Sequence, residues 1–422
     1  MKRILIALAV LLSVQVADAQ TKTPEAAKKA VESAEVAAAN PKKAAKLATW
    51  TKLASAYMDA YSAPAGAAWL GASKQELQIL MGNQKPVSTE NVVVAGDQLV
   101  KEVYADKEFY YNVNGQLAII NVTKPVVEDA LAKAAEAYKK AGEVDVKGSK
   151  SKEIMEGLAN VASKYIDDGM NCYQFGDLAK ASQLFEKAAN VSAIAPLSKV
   201  DTTALYNAAY TAWAGKDYER AKNFFEKCLD ANYYYEGGEV FAKLGDVYTN
   251  LGDAKKGAEI LEKGFVKFPQ SQSILIGLIN YYMTSGEDTD RLFTLIDEAK
   301  KNEPDNASLY YVEGNIYKEL KNVEKAVESY YKCAEINPEY EFGYIGAGIL
   351  YYELAIELQE KASNEYDDKK YNELVGQLEQ ALKNALDPFE KAYAVSKDDQ
   401  LKVSVAEYLK NIYYRFYSNG PE

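Results

Sequence analysis

FAKLGDVYTNLGDAKKGAEILEKGFVKFP, residues 241–269, sets large and small side chains at offsets that return elsewhere in the chain. It carries Phe241, Leu244-Gly245, Tyr248, Gly252-Asp253, Leu261, Gly264 and Pro269. YYVEGNIYKELKNVEKAVESYYKCAEINP, residues 310–338, places Tyr310, Gly314, Tyr317, Ala326, Tyr330, Cys333 and Pro338 at the matching offsets. The spacing has a physical reason. Gly245 and Gly314 let two helices approach closely, and the large residues fill the gaps between neighbouring helices. The proline ends the second helix, because its ring clashes with the preceding turn and it lacks an N–H.

The pattern extends in both directions. Tyr165, Gly169, Ala181, Phe185 and Ala188 fit one unit, and Leu205, Ala209, Ala221, Phe225 and Cys228 fit the next. Between the two clear units, Ile276, Leu292, Ile296, Ala299 and Pro304 fit another, although Asn280 stands where a small residue belongs and Met283 also departs from the pattern. Tyr344, Gly348 and Tyr351 open a last unit, whose second helix resumes only at Ala385, Phe389 and Ala392. An insertion of about 25 residues beyond the repeat period lengthens both helices into a projecting hairpin over about residues 355–380. SNEYDDKKYNE, residues 363–373, is its polar tip.

This spacing resembles the tetratricopeptide repeat, two antiparallel helices in about 34 residues with small and large residues at fixed offsets. Single units are weak signals, but successive registers that keep one period are specific. The resemblance implies a mainly α fold, an α-solenoid of tetratricopeptide-repeat type. Five successive units are expected over residues 162–397. Residues 398–422 form a capping helix and tail that hide the last apolar face.

The region before the array differs. TWTKLASAYMDAY, residues 49–61, matches the first helix of a repeat through Trp50, Leu53, Ala54 and Tyr57. Its matching second helix comes far downstream, where Ala134, Tyr138 and Ala141 have the right spacing. One repeat is therefore split. Residues 20–61 open it, residues 62–124 interrupt it, and residues 125–161 hold its second helix and a lead-in helix. The interruption is β-rich. Ser73 and Glu76 form a capping-box pattern before a short helix. NVVVA, QLVKEVY, EFYYNV and QLAIINV then follow with turn residues between them, which predicts a small antiparallel meander. Asn114-Gly115 predicts a hairpin with a type I′ turn. A weaker alternative makes residues 97–105 a short helix lined by Leu99, Val100, Val103 and Tyr104.

The start of the chain, MKRILIALAVLLSVQVADAQ, has Lys2 and Arg3, an apolar run, and Ala17-Asp18-Ala19. That is the layout of a secretory signal peptide over residues 1–19, cut after Ala19. An exported protein is expected, with the periplasm favoured and full secretion open. No later stretch is long and apolar enough to span a bilayer.

The 422 residues include 61 acidic and 49 basic ones, for a net charge of −12. This excess of acid argues against nucleic acid and against anionic membrane surfaces as partners. There is no histidine, which removes the usual general base and the commonest neutral metal ligand. No phosphate-binding loop or dinucleotide fingerprint is present. No enzyme activity, cofactor or metal is expected. Cys228 and Cys333 share one repeat position and lie too far apart to pair. Cys172 could at most approach Cys228, so three free, buried thiols are expected.

The chain has 33 tyrosines, side chains with a broad face and a polar tip that suit binding surfaces. The resemblance implies a concave groove lined by the first helix of each unit. Carried over residue by residue, the groove takes Ile166, Met170 and Tyr173, then Tyr206, Tyr210 and Trp213. Asp246, Thr249 and Asn250 follow, then Tyr281 and Thr284. Tyr311, Asn315 and Lys318 come next, and Ile345, Ile349 and Tyr352 close the series. The Lys/Asn/Arg carboxylate clamp of chaperone-tail-binding family members is absent. The functional expectation is a non-enzymatic scaffold or adaptor that binds a protein or peptide along this groove. A glycan or small-ligand binder that stacks its ligand on Tyr and Trp is the alternative, and a component of an envelope assembly or secretion complex is the third.

Overall fold

The structure is a computed structural model that describes residues 22–81, 84–285 and 290–417. The expected signal peptide lies outside the described residues. The chain divides into two compact units, Met1–Tyr233 and Tyr234–Glu422.

In the first unit, α1 (Pro24–Ala39) starts on Thr23, whose Oγ1 accepts from the Ala26 N–H at 3.3 Å. After the short α2 (Pro41–Ala44), α3 (Leu47–Ser62) packs back on α1. The Tyr57 hydroxyl donates to Glu35 at 2.6 Å, and Lys22 pairs with Asp59 at 2.7 Å. Then comes α4 (Lys74–Leu80), with the expected capping box complete. Ser73 Oγ accepts from the Glu76 N–H at 3.2 Å, and Glu76 Oε2 accepts from the Ser73 N–H at 2.8 Å.

The meander follows as β1 (Ser88–Val94), β2 (Asp97–Val103), β3 (Lys107–Tyr111) and β4 (Leu117–Val122), antiparallel throughout and in sequence order. Residues 97–103 are strand, so the helical alternative fails. Alternation explains why: Leu99 joins one face of the sheet and Val100 the other. One face sets Phe109, Tyr111 and Leu117 against Leu77 of α4, and the other sets Leu99, Tyr110 and Ile119 against Phe175. Beneath α4 lies a buried carboxylate, Glu102. It pairs with Lys74 at 2.5 Å and accepts from the Tyr104 hydroxyl at 2.9 Å.

The Asn114-Gly115 turn differs from expectation. Only Gly115 has positive φ, and its N–H donates to the Asn112 carbonyl at 2.9 Å. Asn112 Oδ1 also accepts from the N–H groups of Asn114 and Gln116, and this side-chain brace selects a longer, bulged loop over the two-residue turn. The turn with two positive-φ residues is Ala95-Gly96, at φ of 50° and 91°, between β1 and β2.

After the sheet, α5 (Ala130–Val144) returns to pack against α3. Next, α6 (Ser151–Gln174) runs without a break at residue 161, because Ile154, Leu158, Val161, Ala162, Tyr165 and Gly169 continue one buried stripe. The Ile120 N–H donates to Asn171 Oδ1 at 3.2 Å, which ties β4 to α6. Two helix pairs complete the unit: α6 with α7 (Leu178–Ser192), and α8 (Thr202–Ala214) with α9 (Tyr218–Asp230). A Cβ on Gly169 would lie 2.8 Å from the Phe185 ring, so only glycine admits this approach.

The second unit holds α10 (Glu239–Asn250), α11 (Ala254–Lys267), α12 (Gln272–Ser285), α13 (Asp290–Asn302), α14 (Ala307–Glu319), α15 (Val323–Ile336), α16 (Glu341–Ser363), α17 (Asp368–Val395) and α18 (Asp399–Tyr417). Among the described residues, six successive helix couples run from α6–α7 to α16–α17, where five units were expected. Leu261 is enclosed between Gly245 and Gly277, where added Cβ atoms would stand 2.6 and 2.8 Å from it. Tyr330 is held the same way between Gly314 and Gly346, at 2.6 and 2.5 Å. The unit with Asn280 in the small-residue position is looser. There α12 packs on α10 and α11, α13 packs on α11 and α14, and the two make little contact with each other.

All three cysteines are free. Burial pushes the Cys228 and Cys333 thiols up to about 12. Cys172 is only half-buried, against expectation, and burial raises its thiol as well. Among the described residues, no helix is long and apolar enough to cross a membrane.

Two measurements check this packing. Gly314→Val forces a methyl-bearing carbon into the Tyr330 ring, and overpacking of this kind costs ~2 kcal/mol in urea unfolding. In the first unit, Asp168 accepts from the Tyr61 hydroxyl at 2.8 Å. Burial, opposed by the Tyr61 hydrogen bond and helped by neighbouring Asp167, pushes its carboxyl up to about 6. The charged form is thus disfavoured in the folded state. The penalty is fully present above that pH and is relieved as pH falls toward the ordinary carboxylate range. The first unit should therefore melt higher at pH 5 than the other carboxylates alone allow, and Asp168→Asn should raise the pH 7.5 melting temperature while removing this gain.

Candidate functional site

The expected groove residues fall in both units. In the first, Tyr173 is half-buried. Tyr206 and Tyr210 are only 4% and 9% exposed. Tyr206 meets Tyr210, Phe225 and Tyr233 at 6.2, 6.1 and 6.2 Å between ring centres, and Tyr210 meets Trp213 at 5.6 Å. The Tyr206 and Tyr210 rings cement helices and present no open face, which argues against these two as partner-binding platforms, while Trp213 is half-buried. The cause is the run after α9, which lays Tyr233 over Tyr206.

Several groove positions in the second unit are also engaged internally. Asn250 is exposed but turns its amide back to the Asp246 carbonyl at 2.8 Å. Tyr281 packs edge-on against Tyr282. Tyr311 is wedged between Tyr330 and Phe342 at 5.9 and 5.7 Å. Asn315 Oδ1 accepts from the buried Tyr330 hydroxyl at 2.7 Å, and Lys318 pairs with Glu353 at 2.8 Å. Of the expected groove residues, Tyr352 lines a cavity.

That cavity follows from helix length. The arms α16 and α17 have 23 and 28 residues, against 13 and 14 in the pair α14 and α15. At about 1.5 Å per residue the arms run roughly 15–20 Å further. The last helix, α18, packs on α17. Tyr352, Phe389 and Tyr408 fasten the three helices where they meet, with Phe389 stacked on Tyr408 at 4.8 Å and Tyr352 edge-on to Tyr408 at 5.0 Å. Beyond this aromatic knot a cleft of about 390 Å³ opens. Tyr352, Ala355, Ile356 and Gln359 line it from α16, Leu378 and Leu382 from α17, and Asn411, Tyr414 and Arg415 from α18. A second hollow of about 370 Å³ shares Ile356 and Gln359 and continues past Glu360 to Ser363 and Asn364.

The cleft has a buried apolar floor, Ala355, Leu378 and Leu382, beneath an exposed rim. Ile356 is 47% and Tyr414 75% exposed. Asn411 Nδ2 donates weakly to the Tyr352 hydroxyl at 3.4 Å, so its carbonyl remains available. Arg415 differs from the other described arginines. Arg220 pairs with Glu186 at 2.5 Å and Arg291 with Glu262 at 3.0 Å, while Arg415 makes no ion pair or hydrogen bond among the described residues. The arrangement suits an extended chain, with an apolar trough for a side chain, amides for a backbone, and one unneutralised cation. Sequence reasoning reached only Tyr352, because the family's groove positions lie on the first helices of repeats. The signal for the rest was the insertion itself, which lengthens α16 and α17 past their neighbours.

A family model described as tetratricopeptide repeat matches residues 202–234 and 307–340, the segments that hold α8 with α9 and α14 with α15. These two segments match the tetratricopeptide repeat. Solved structures of similar fold include a TPR repeats protein from Bacteroides fragilis, 16% identical, which covers 60% of this chain and 98% of its own with a TM-score of 0.26. A tetratricopeptide repeat protein from Parabacteroides merdae is 17% identical over 67% of this chain and 92% of its own, with a TM-score of 0.31. YrrB, described as a TPR protein with an unusual peptide-binding site, is 24% identical over 50% and 96%, with a TM-score of 0.27. No curated protein matches the chain. Among the described residues, no group of three or more acidic or thiol side chains is placed to hold a metal.

The burial of Tyr206 and Tyr210 gives a direct check. Each change to Ala should cost about 3 kcal/mol of stability by leaving a ring-sized void. Circular dichroism should show the double variant melting at a clearly lower temperature, with the loss in unfolding and not in partner affinity.

Proposed function

We propose that this chain is an exported, non-enzymatic scaffold that holds an extended segment of a partner protein in the cleft between α16, α17 and α18. The observation that carries the reading is the cleft itself: two adjoining hollows along α16, apolar at the base and edged by hydrogen-bonding groups. Pockets of this kind take a side chain into the trough and orient the chain by its polar edge. The repeat fold fits an interaction scaffold. The export reading rests on the charged start, the apolar run and Ala17-Asp18-Ala19. Periplasmic residence is the favoured address, and the mature chain should begin at Gln20 by mass spectrometry. The glycan reading loses support from the burial of Tyr206 and Tyr210, which leaves them no open face for a sugar.

Site-specific photo-crosslinking in the producing cell tests the site. A crosslinking residue at Ile356 should capture a protein partner, and one at Val266, 71% exposed on α11, should not. Equal capture at both positions, or none at Ile356, removes the cleft as the partner site.

A further inference from the structure

The sheet of the first unit has one closed edge and one open edge. The closed edge, β4, is met from outside. The Gly71 N–H donates to the Leu117 carbonyl at 2.7 Å, the Leu117 N–H donates to the Ala72 carbonyl at 2.8 Å, and the Ile120 N–H reaches Asn171. The open edge is β1, which has β2 on one side and, among the described residues, no strand on the other. The phase of the hydrogen bonds decides which of its groups face outward. The Tyr104 N–H donates to the Lys107 carbonyl at 2.8 Å across the turn between β2 and β3. Backbone groups alternate sides along a strand. Glu102 and Val100 therefore bond to β3, while Val103, Lys101 and Leu99 bond to Ser88, Glu90 and Val92 of β1. Thr89, Asn91 and Val93 are left with their N–H and C=O groups turned away from the sheet. Among the described residues, no hydrogen bond meets them there.

Folded proteins blunt such an edge with lysine, proline, a bulge or a covering element. STENVVV, residues 88–94, holds no lysine or proline, and its register with β2 runs unbroken from Ser88 to Val94. Val93 is 69% exposed. We infer that this edge is an interface between two copies of the chain, where β1 pairs antiparallel with β1 of a second copy about a two-fold axis at Asn91. Two four-stranded sheets then become one. The strand is self-complementary in that register. Asn91 faces Asn91 of the second copy, Thr89 faces Val93, and Val93 faces Thr89, so the three outward residues exchange their hydrogen bonds reciprocally. Threonine and valine are also favourable cross-strand neighbours. On the opposite face, Glu90 stands across from Val92 and Ser88 from Val94. The strand's one charge therefore never faces its copy, and Lys101 already holds it at 3.4 Å. That matters for a chain of net charge −12, whose copies repel one another elsewhere. Other centres fit worse. An axis at Val93 runs into the turn at Ala95, where φ is 50°, and an axis at Thr89 leaves Val93 unpaired. This interface is independent of the cleft beside α18.

Sedimentation velocity of the full mature chain tests this. One strand pair is a small interface, so the dimer should be weak and should grow in as the concentration rises through about 10–100 µM. Asn91→Pro removes an outward N–H and no bond to β2, and an edge strand tolerates proline at such a position. It should keep the parent melting temperature and weaken association at least about tenfold. Two further variants test the axis itself. Asn91→Lys and Asn91→Glu each set like charges directly opposite across the two-fold, which is unfavourable, whereas an equal mixture sets opposite charges there. Each variant alone should stay monomeric, and the mixture should recover the dimer. A parent chain that stays monomeric to about ten times that range, at a few hundred micromolar or above, overturns the proposal. A dimer that survives in Asn91→Lys and Asn91→Glu separately, or a mixture that fails to associate, overturns it as well. A photo-crosslinker at Val93 should join two copies of this chain. Capture of a different protein there in place of a second copy assigns the edge to another partner, and overturns it too.

Discussion

One bulky side chain gripped between two glycines organises the second unit. Leu261 reaches back sixteen residues to Gly245 and forward sixteen to Gly277, and Tyr330 does the same with Gly314 and Gly346. Each grip joins three helices: the partner within a pair and the first helix of the next. Glycine is costly inside a helix, so its placement here answers a steric demand, since any Cβ would occupy space already filled by the large residue. The contact is short in sequence. Each unit can therefore fix its own geometry and pass it to its neighbour, the behaviour that makes repeat proteins sums of local terms. Where Asn280 replaces the small residue, α12 and α13 separate and turn to other neighbours.

Insertions in this chain respect that contact. The β-rich segment enters between α3 and α5, which still meet. The sheet covers one face with α4, and on the other it takes Phe175 and the Asn171 hydrogen bond from the end of α6. The second insertion lengthens α16 and α17 while Phe389 keeps its place against Gly348, 2.8 Å from where a Cβ would be. New structure is added at the open ends of helices, where it does not disturb the packed centre. The candidate site is a by-product of this rule, because a cleft can form only where the arms outrun the aromatic knot of Tyr352, Phe389 and Tyr408.

Helix pairs, the split repeat's two helices, the capping box and the four strands were readable, because each depends on neighbours within one or two elements. The turn type was not, since Asn112 acts from outside the Asn-Gly pair. The groove misled for a different reason. A position that faces the concave side in a generic repeat can be roofed by a residue from a connecting segment, as Tyr233 roofs Tyr206. Residue identity cannot report that cover. Arg415 was missed because what distinguishes it is an absent counter-ion, and whether a charge is neutralised depends on folded distances between α16, α17 and α18.

The thiols have a consequence for how the folded chain meets oxidants. Thiolates are the species that attack disulfides and meet oxidants, and burial keeps Cys228 and Cys333 protonated far above neutrality. Cys172 is shifted the same way. Once packed, the protein offers oxidants little thiolate to react with. With all three thiols free, the native state rests on packing and on no covalent crosslink.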